Sequence, residues 1–245
     1  MERLKCQIIH ELCFQLQSPR RPPTNNYSLR LPRQWSQNML FEDQCWIGKE
    51  MFASKGNLTS KLKNWWFPPL SPSANSTAKP SPDTYFRQRI FLWMPKRMWN
   101  IVLKCPICNL PSRTLQFKGL YPRVRLVLDI KDYYYLAAEY HFCKACNGTF
   151  IAWDKRILIL LPDGVRLKFT VILTYKYACD TAVISLLRSR TLGNSPSALQ
   201  NTICELHNTI CELHSEEWMR KCVSYLSACK RHQTRQLLTL SSRLL

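Results

Sequence analysis

Acidic residues are scarce in this chain. Only 16 Asp and Glu stand against 35 Lys and Arg in 245 residues, a formal net charge of +19. The cations are spread along the whole length, so the basicity is not that of a tail. Such a balance attracts polyanions, nucleic acid above all, and leaves no surplus of carboxylates for metal-dependent catalysis. Long apolar runs are also missing. The longest aliphatic stretch, Ile157 to Leu161, falls far short of the ~20 residues that span a bilayer, so no membrane association is expected. The first residues lack the apolar core and small-residue cleavage site of a secretion signal. Twelve cysteines therefore read as thiols of a reducing compartment, the cytosol or the nucleus, where they bind metal more often than they cross-link. No Walker loop, HExxH, GxSxG or dinucleotide fingerprint occurs, which removes the common nucleotide, protease and hydrolase chemistries.

The chain does have two Cys-x-x-Cys pairs, Cys105–Cys108 and Cys143–Cys146, separated by 34 residues. Two such pairs supply the four thiolates of a tetrahedral Zn2+ ion, each tight turn aiming two sulfurs at a point about 2.3 Å away. Asn109 follows the first pair; Asn147 and Gly148 follow the second. Asn and Gly tolerate the positive φ that such a knuckle requires. Four protein ligands leave no open position for water, so the ion is expected to be structural.

The pattern predicts an α+β protein: a small antiparallel sheet of zinc-ribbon type, then a helical, helix-turn-helix-like region. Residues 1–64 read as a poorly ordered extension broken by Ser18 to Pro23, with one short amphipathic helix at 4–16. Residues 65–104 are an aromatic, Pro-rich lead-in with a Ser/Pro linker over 70–82. Residues 105–178 form the zinc-ribbon-like domain. Within it, Arg123 to Leu128 alternates arginines with apolar residues at 124, 126 and 128, as a half-buried strand does. Tyr133–Phe142 and Thr149–Trp153 are rich in β formers, Asp154–Leu161 is short and fits either helix or strand, and Val165–Leu173 reads as another strand after a Pro162-Asp163-Gly164 turn. Residues 179–232 are helical: one helix capped by Asp180 or Thr181, a second starting at Ser195-Pro196, and a third from Ser215 to about Arg231. Residues 233–245 form a tail. Within the helical region Asn201–His207 is repeated without change as Asn208–His214. A seven-residue insertion lengthens a helix by about 10.5 Å and rotates its downstream part by only about 20°. Ile203, Leu206, Ile210 and Leu213 then continue one stripe. Cys204, His207, Cys211 and His214 lie along the same helix, but ligands a heptad apart are too distant to share one ion.

Several motifs together resemble an uncharacterised domain-of-unknown-function family abundant in ray-finned fish: Arg89 to Trp99, Cys105 to Cys108, Gly119 to Arg125, Asp132 to Tyr135, Cys143 to Cys146, Leu173 to Asp180, Arg190 to Pro196 and His214 to Trp218. The resemblance covers about residues 65–232. It implies a zinc-bearing module of a mobile-element-derived protein, whose longer relatives carry nuclease-like regions. The end at Leu245 then reads as a truncation ahead of any such region.

The functional expectation is a non-catalytic nucleic-acid-binding module acting in the nucleus, with DNA as partner. Cys105, Cys108, Cys143 and Cys146 would hold one structural zinc, and Lys96, Arg97, Arg123, Arg125, Arg188 and Arg190 would contact phosphates. Two other readings compete. The C-terminal helical stripe could bind a partner protein, or Asp129 and Asp154, with Asp132, Glu139 and Asp180 nearby, could be the remnant of a metal-dependent nuclease.

Overall fold

The structure, a computed structural model, describes residues 31–53, 57–69, 79–108, 114–188 and 196–244. It is a mixed α+β fold. Among the described residues eight strands form the sheet: β1 (Trp65–Trp66), β2 (Ile90–Trp93), β3 (Gln116–Leu120), β4 (Arg125–Leu128), β5 (Tyr133–Phe142), β6 (Thr149–Ile151), β7 (Val171–Leu173) and β8 (Ala178–Asp180). The main path runs β1-β2-β5-β4-β8-β7. Strand β5 organises it. Its first half pairs with β2 and β4, and its second half with β3 and β6.

The expected small antiparallel sheet is corrected in two ways. The sheet takes in strands from residue 65 to residue 180, so the lead-in and the cysteine-bearing region are not separate units. It is also mixed, since β2 runs parallel to β5 and β4 parallel to β8. Parallel pairings need long crossovers, which the segments between these strands supply.

All four residues of β2 are buried. Continuous burial means that both faces of the strand are covered. On one face Ile90, Leu92 and Met94 pack with Tyr135, Ala137 and Val124. On the other, Phe91 and Trp93 pack with Tyr134, Leu136, Ala138, Val127 and Phe150. The first face is covered by residues that read from sequence as a poorly ordered extension. Leu31, Trp35 and Met39 lie on it, with Trp46, Ile47 and Met51 of helix α1 (Phe41–Met51). Trp35, Ile47 and Met51 are fully buried, a gain of about 1.5–3 kcal/mol for each aliphatic side chain relative to exposure. The Trp35 indole N–H donates to the Tyr121 carbonyl at 2.9 Å, and Asn38 Nδ2 to the Val124 carbonyl at 3.2 Å. Residues 31–53 are thus part of the core. The expected helix at 4–16 and most of the Ser/Pro linker lie outside the described residues.

The second face is closed by Leu103, Leu115, Ile157, Leu161 and Val171. Here too the sequence reading needs correction. Asp163–Arg166 is a helical turn, secured by an Asp163–Arg166 ion pair at 2.7 Å, and only Val171–Leu173 of the expected 165–173 strand is extended. Short helices α2 (Pro82–Phe86), α3 (Pro95–Met98), α4 (Lys155–Leu158) and α5 (Asp163–Arg166) join the strands. In β4 the expected alternation is not kept: Val124 is buried, but Leu126 is 41% exposed and Val127, of the opposite parity, is fully buried.

Asp180 opens helix α6 (Thr181–Arg188), accepting from the Ala182 amide at 2.9 Å as an N-cap does. Helix α7 then runs unbroken from Pro196 to Leu244, 49 residues. The separate helix at 215 and the tail at 233 are therefore corrected to one element. No Gly or Pro comes after Pro196, so nothing in the chain stops the helix. Ser215 sits inside it, its hydroxyl donating to the Cys211 carbonyl at 2.8 Å. Both copies of the repeated heptad lie in α7. Leu206 and Ile210 are buried against Val183, Leu128 and Ile130, while Ile203 is half exposed. Among the described residues no helix is long and apolar enough to cross a membrane.

Candidate metal centre

Strands β3, β5 and β6 carry the cysteine pairs. Cys105–Cys108 precedes β3, held there by a Lys104–Thr114 bridge and by the Leu115 amide donating to the Leu103 carbonyl at 2.8 Å. Cys143–Cys146 is the turn of the β5–β6 hairpin, where the Cys143 amide donates to the Gly148 carbonyl at 2.9 Å. The four sulfurs lie within 4.8 Å of one another, and they are the one such group of three or more metal donors among the described residues. Cys105 Sγ is 3.6 Å from Cys146 Sγ, and Cys108 Sγ is 3.8 Å from Cys143 Sγ. Sulfurs at the corners of a tetrahedron about 2.3 Å from a central ion lie about 3.8 Å apart. A disulfide would need about 2.05 Å, and all four thiols are free. The donor set and its spacing fit a thiophilic ion such as zinc.

Local backbone explains how the residues converge. The Cys108 amide points at Cys105 Sγ, 3.5 Å away, the start of an amide cradle for thiolate charge. Asn147 has φ 55°, the left-handed turn expected after the second pair. Asn109 lies outside the described residues. Gly148 is required for space: a Cβ there would lie 3.0 Å from the Phe150 ring and 3.1 Å from Cys146 Sγ. The amides of Cys146 and Ala145 draw the Cys143 thiol down to about 6, the Cys146 amide contributing most. Burial, then hydrogen bonds to its companions, pushes Cys108 up to about 12. Four adjacent thiols cannot all ionise without a cation among them. An ion held by all four cysteines would have a closed coordination sphere, with no position left for water.

Of the six cations expected to meet phosphates, four have described side chains. The Lys96 ammonium donates to the Leu115 carbonyl, and its backbone amide to Glu139 at 2.6 Å. Lys96 thus ties α3 to the start of β3. Arg97 lies over the Phe117 ring at 4.7 Å. Arg123 is exposed. Arg125 donates to the carbonyls of Thr174, Tyr175 and Tyr177 at 3.0–3.2 Å, closing the β7–β8 turn. Arg188 ends α6, its side chain outside the described set, and Arg190 lies outside the described residues. Sequence reasoning overlooked two exposed lysines at the knuckles, Lys104 and Lys144, and Lys118, whose ammonium lies 5.2 Å from the Tyr140 ring. The signal was available, since Lys104 and Lys144 adjoin Cys105 and Cys143.

The carboxylates are engaged with the protein's own side chains and amides. Asp129 pairs with Arg89, and Asp132 with Lys221. Asp154 caps α4 through the Arg156 amide and pairs with the Arg156 guanidinium at 2.7 Å, which holds its carboxyl below the ordinary range. Asp180 accepts from the Tyr134 hydroxyl at 2.6 Å and the Thr170 hydroxyl at 3.0 Å. Glu139 is fully buried beside His141. In the repeated heptad, His207 lies 3.8 Å from Cys211 Sγ, while His214 turns away to bond the Asp129 carbonyl at 2.8 Å.

No match is found among curated proteins or among solved structures. One family model does match, over residues 35–243, and so begins well before the motifs that suggested the resemblance. It reaches back to Trp35 and α1, the segment that covers the first face of the sheet. By that match the chain belongs to the family described as a domain of unknown function, DUF6729.

Proposed function

We infer that this is a non-catalytic, zinc-stabilised nucleic-acid-binding module. The observation that carries the reading is the closed four-thiol cluster, with sulfur separations of 3.6 and 3.8 Å and exposed Lys104 and Lys144 beside its ligands. Such a centre supplies no chemistry. It holds two loops and three strands in register, and we read β3, β5 and β6 with their knuckles as a zinc-ribbon-like lobe. The net charge of +19 supports a polyanionic partner. Arg123, Lys104 and Lys144 are exposed where phosphates could be met, and the Arg97–Phe117 pair joins a cation to a 37%-exposed ring on which a base could stack. A nuclear role and a mobile-element origin belong to this reading. The test is anisotropy titration of labelled DNA with the zinc-loaded chain over a series of salt concentrations. Log affinity should fall linearly with log salt, by about 0.9 for each phosphate neutralised. Binding that is absent, or indifferent to salt, overturns the reading.

A second reading has one specific observation in its favour. Met219, Val223 and Leu226 of α7 are 56–63% exposed, and apolar side chains at this spacing form a seam for a partner helix.

A further inference from the structure

Helix α7 divides into an anchored part and a continuation. Leu206 and Ile210 are buried against the body. His214 meets Asp129 and the Tyr133 ring, Trp218 the Phe86 ring at 5.9 Å, Lys221 the Asp132 carboxylate, and Tyr225 the Tyr85 ring at 5.6 Å. From residue 226 the helix continues to Leu244, a further ~28 Å at 1.5 Å per residue. No acidic residue comes after Glu217, whereas Arg220, Lys221, Lys230, Arg231, Arg235 and Arg243 do. Arg220 and Lys221 are used in ion pairs with Glu217 and Asp132. Lys230, Arg231 and Arg235 lie beside Ser227 and Thr234 on one side of the helix. Their spacing of i, i+3, i+4, i+7 and i+8 places them on a single face over ~12 Å.

We propose that residues 226–244 of α7 are an arm that lies along the major groove of duplex DNA, with Lys230, Arg231 and Arg235 neutralising backbone phosphates. The inference rests on the nucleic-acid reading and assigns it an element away from the cysteine cluster. Charge complementarity selects the occupant: a face with three cations, on a segment with no acid, fits a polyanion. Dimensions agree, since a helix ~10–12 Å across enters a B-form major groove ~12 Å wide, whereas the A-form major groove is too narrow. A second copy of the chain is the weaker occupant. The heptad positions that continue Val223 and Leu226 are held by Lys230 and Gln233, so a paired seam would bury a cation against its twin.

The test uses the full zinc-loaded chain and a DNA duplex of about three helical turns. Lys230→Ala, Arg231→Ala and Arg235→Ala are combined in one variant, and charge-preserving Lys230→Arg, Arg231→Lys and Arg235→Lys in another. Alanine favours helix, so circular dichroism and metal content should match wild type. The alanine variant should bind more weakly, with a log affinity against log salt slope shallower by about 2.7, and the charge-preserving variant should keep the wild-type slope. If the wild-type chain binds DNA and the alanine variant keeps its slope, the arm is overturned while the nucleic-acid reading stands. If the wild-type chain does not bind DNA, both fall. Tighter binding of an RNA duplex than of DNA overturns the groove assignment. A dimer in sedimentation that Leu226→Asp dissociates, together with an unchanged slope in the alanine variant, replaces the arm with a self-association seam.

Discussion

Replacing Asp43 by Asn should remove a pH-dependent cost that the fold carries in its first covering layer. Asp43 lies in α1, fully buried. Its Oδ1 accepts from the Trp46 indole N–H at 3.0 Å and from the Gln88 amide at 3.4 Å, and its Oδ2 has no hydrogen-bond partner among the described residues. Burial pushes the carboxyl up from 3.8 to about 7, with Trp46, then the Tyr135 hydroxyl, the Gln88 amide and Arg87 opposing the shift in part. A raised acid binds its proton more tightly in the folded chain than in the unfolded one. Stability from this group is therefore full below about pH 3.8, falls by about 1.4 kcal/mol per pH unit above it, and levels off past about pH 7. The accumulated loss is about 4 kcal/mol, of which about 1.4 kcal/mol falls between pH 6 and pH 8. Asn resembles the protonated acid in shape and keeps an acceptor for Trp46, yet does not ionise. Urea unfolding of both proteins from pH 6 to pH 8 gives the test. Taking the difference between them cancels the pH dependence of the thiol cluster, which both share. The Asn variant should gain on wild type by about 1.4 kcal/mol across that range. A difference that stays flat would show that Asp43 is hydrated in solution and that α1 does not seal this face.

Two other contacts give measurable outcomes. Gly148→Ala should weaken metal retention against a chelator by tenfold or more, because its Cβ would lie 3.0–3.1 Å from Phe150 and Cys146 and a displaced ligand typically costs at least ~1.4 kcal/mol. Competition with a zinc-sensitive dye reads this, and retention equal to wild type would mean that the knuckle shifts without strain. Tyr134→Phe removes the 2.6 Å bond to Asp180 while leaving that carboxylate the Thr170 hydroxyl and the Ala182 amide. It should cost about 1.5–3 kcal/mol in urea unfolding, and a neutral result would place water at the vacated position.

How much of this was legible in the sequence depends on the range of the interactions involved. The two cysteine pairs were readable because the chelating turn is local, and Asn147 and Gly148 mark it. The Asp180 cap and a helix opening at Pro196 were readable for the same reason. The length of β5 was implied by its β formers, but its partners were not, because β2 is distant in the chain and runs parallel, with Ile90 opposite Tyr135. The covering layer was missed most completely. Leu31, Trp35 and Met39 fall at intervals of four, and Trp46, Ile47 and Met51 at helical spacing, yet Ser18 to Pro23 and the low-periodicity stretches nearby obscured a segment of only two or three turns. The sign that it belongs to the core is the unbroken apolar run Ile90 to Met94. A strand buried on both faces needs two covers, and the cysteine-bearing lobe provides one. The surroundings of the cations expected to meet phosphates were the least legible. Arg125 and Lys96 look like free surface cations in sequence, but their hydrogen bonds go to the protein's own carbonyls.

The central claim is a single metal ion held by Cys105, Cys108, Cys143 and Cys146. Native mass spectrometry of the full chain, purified without chelator, tests it most directly, with Cys105→Ser and Cys143→Ser measured alongside. One zinc per chain, lost in both variants together with cooperative unfolding, is the predicted result. A folded wild-type protein without metal, or variants that keep the ion and the fold, would contradict the account.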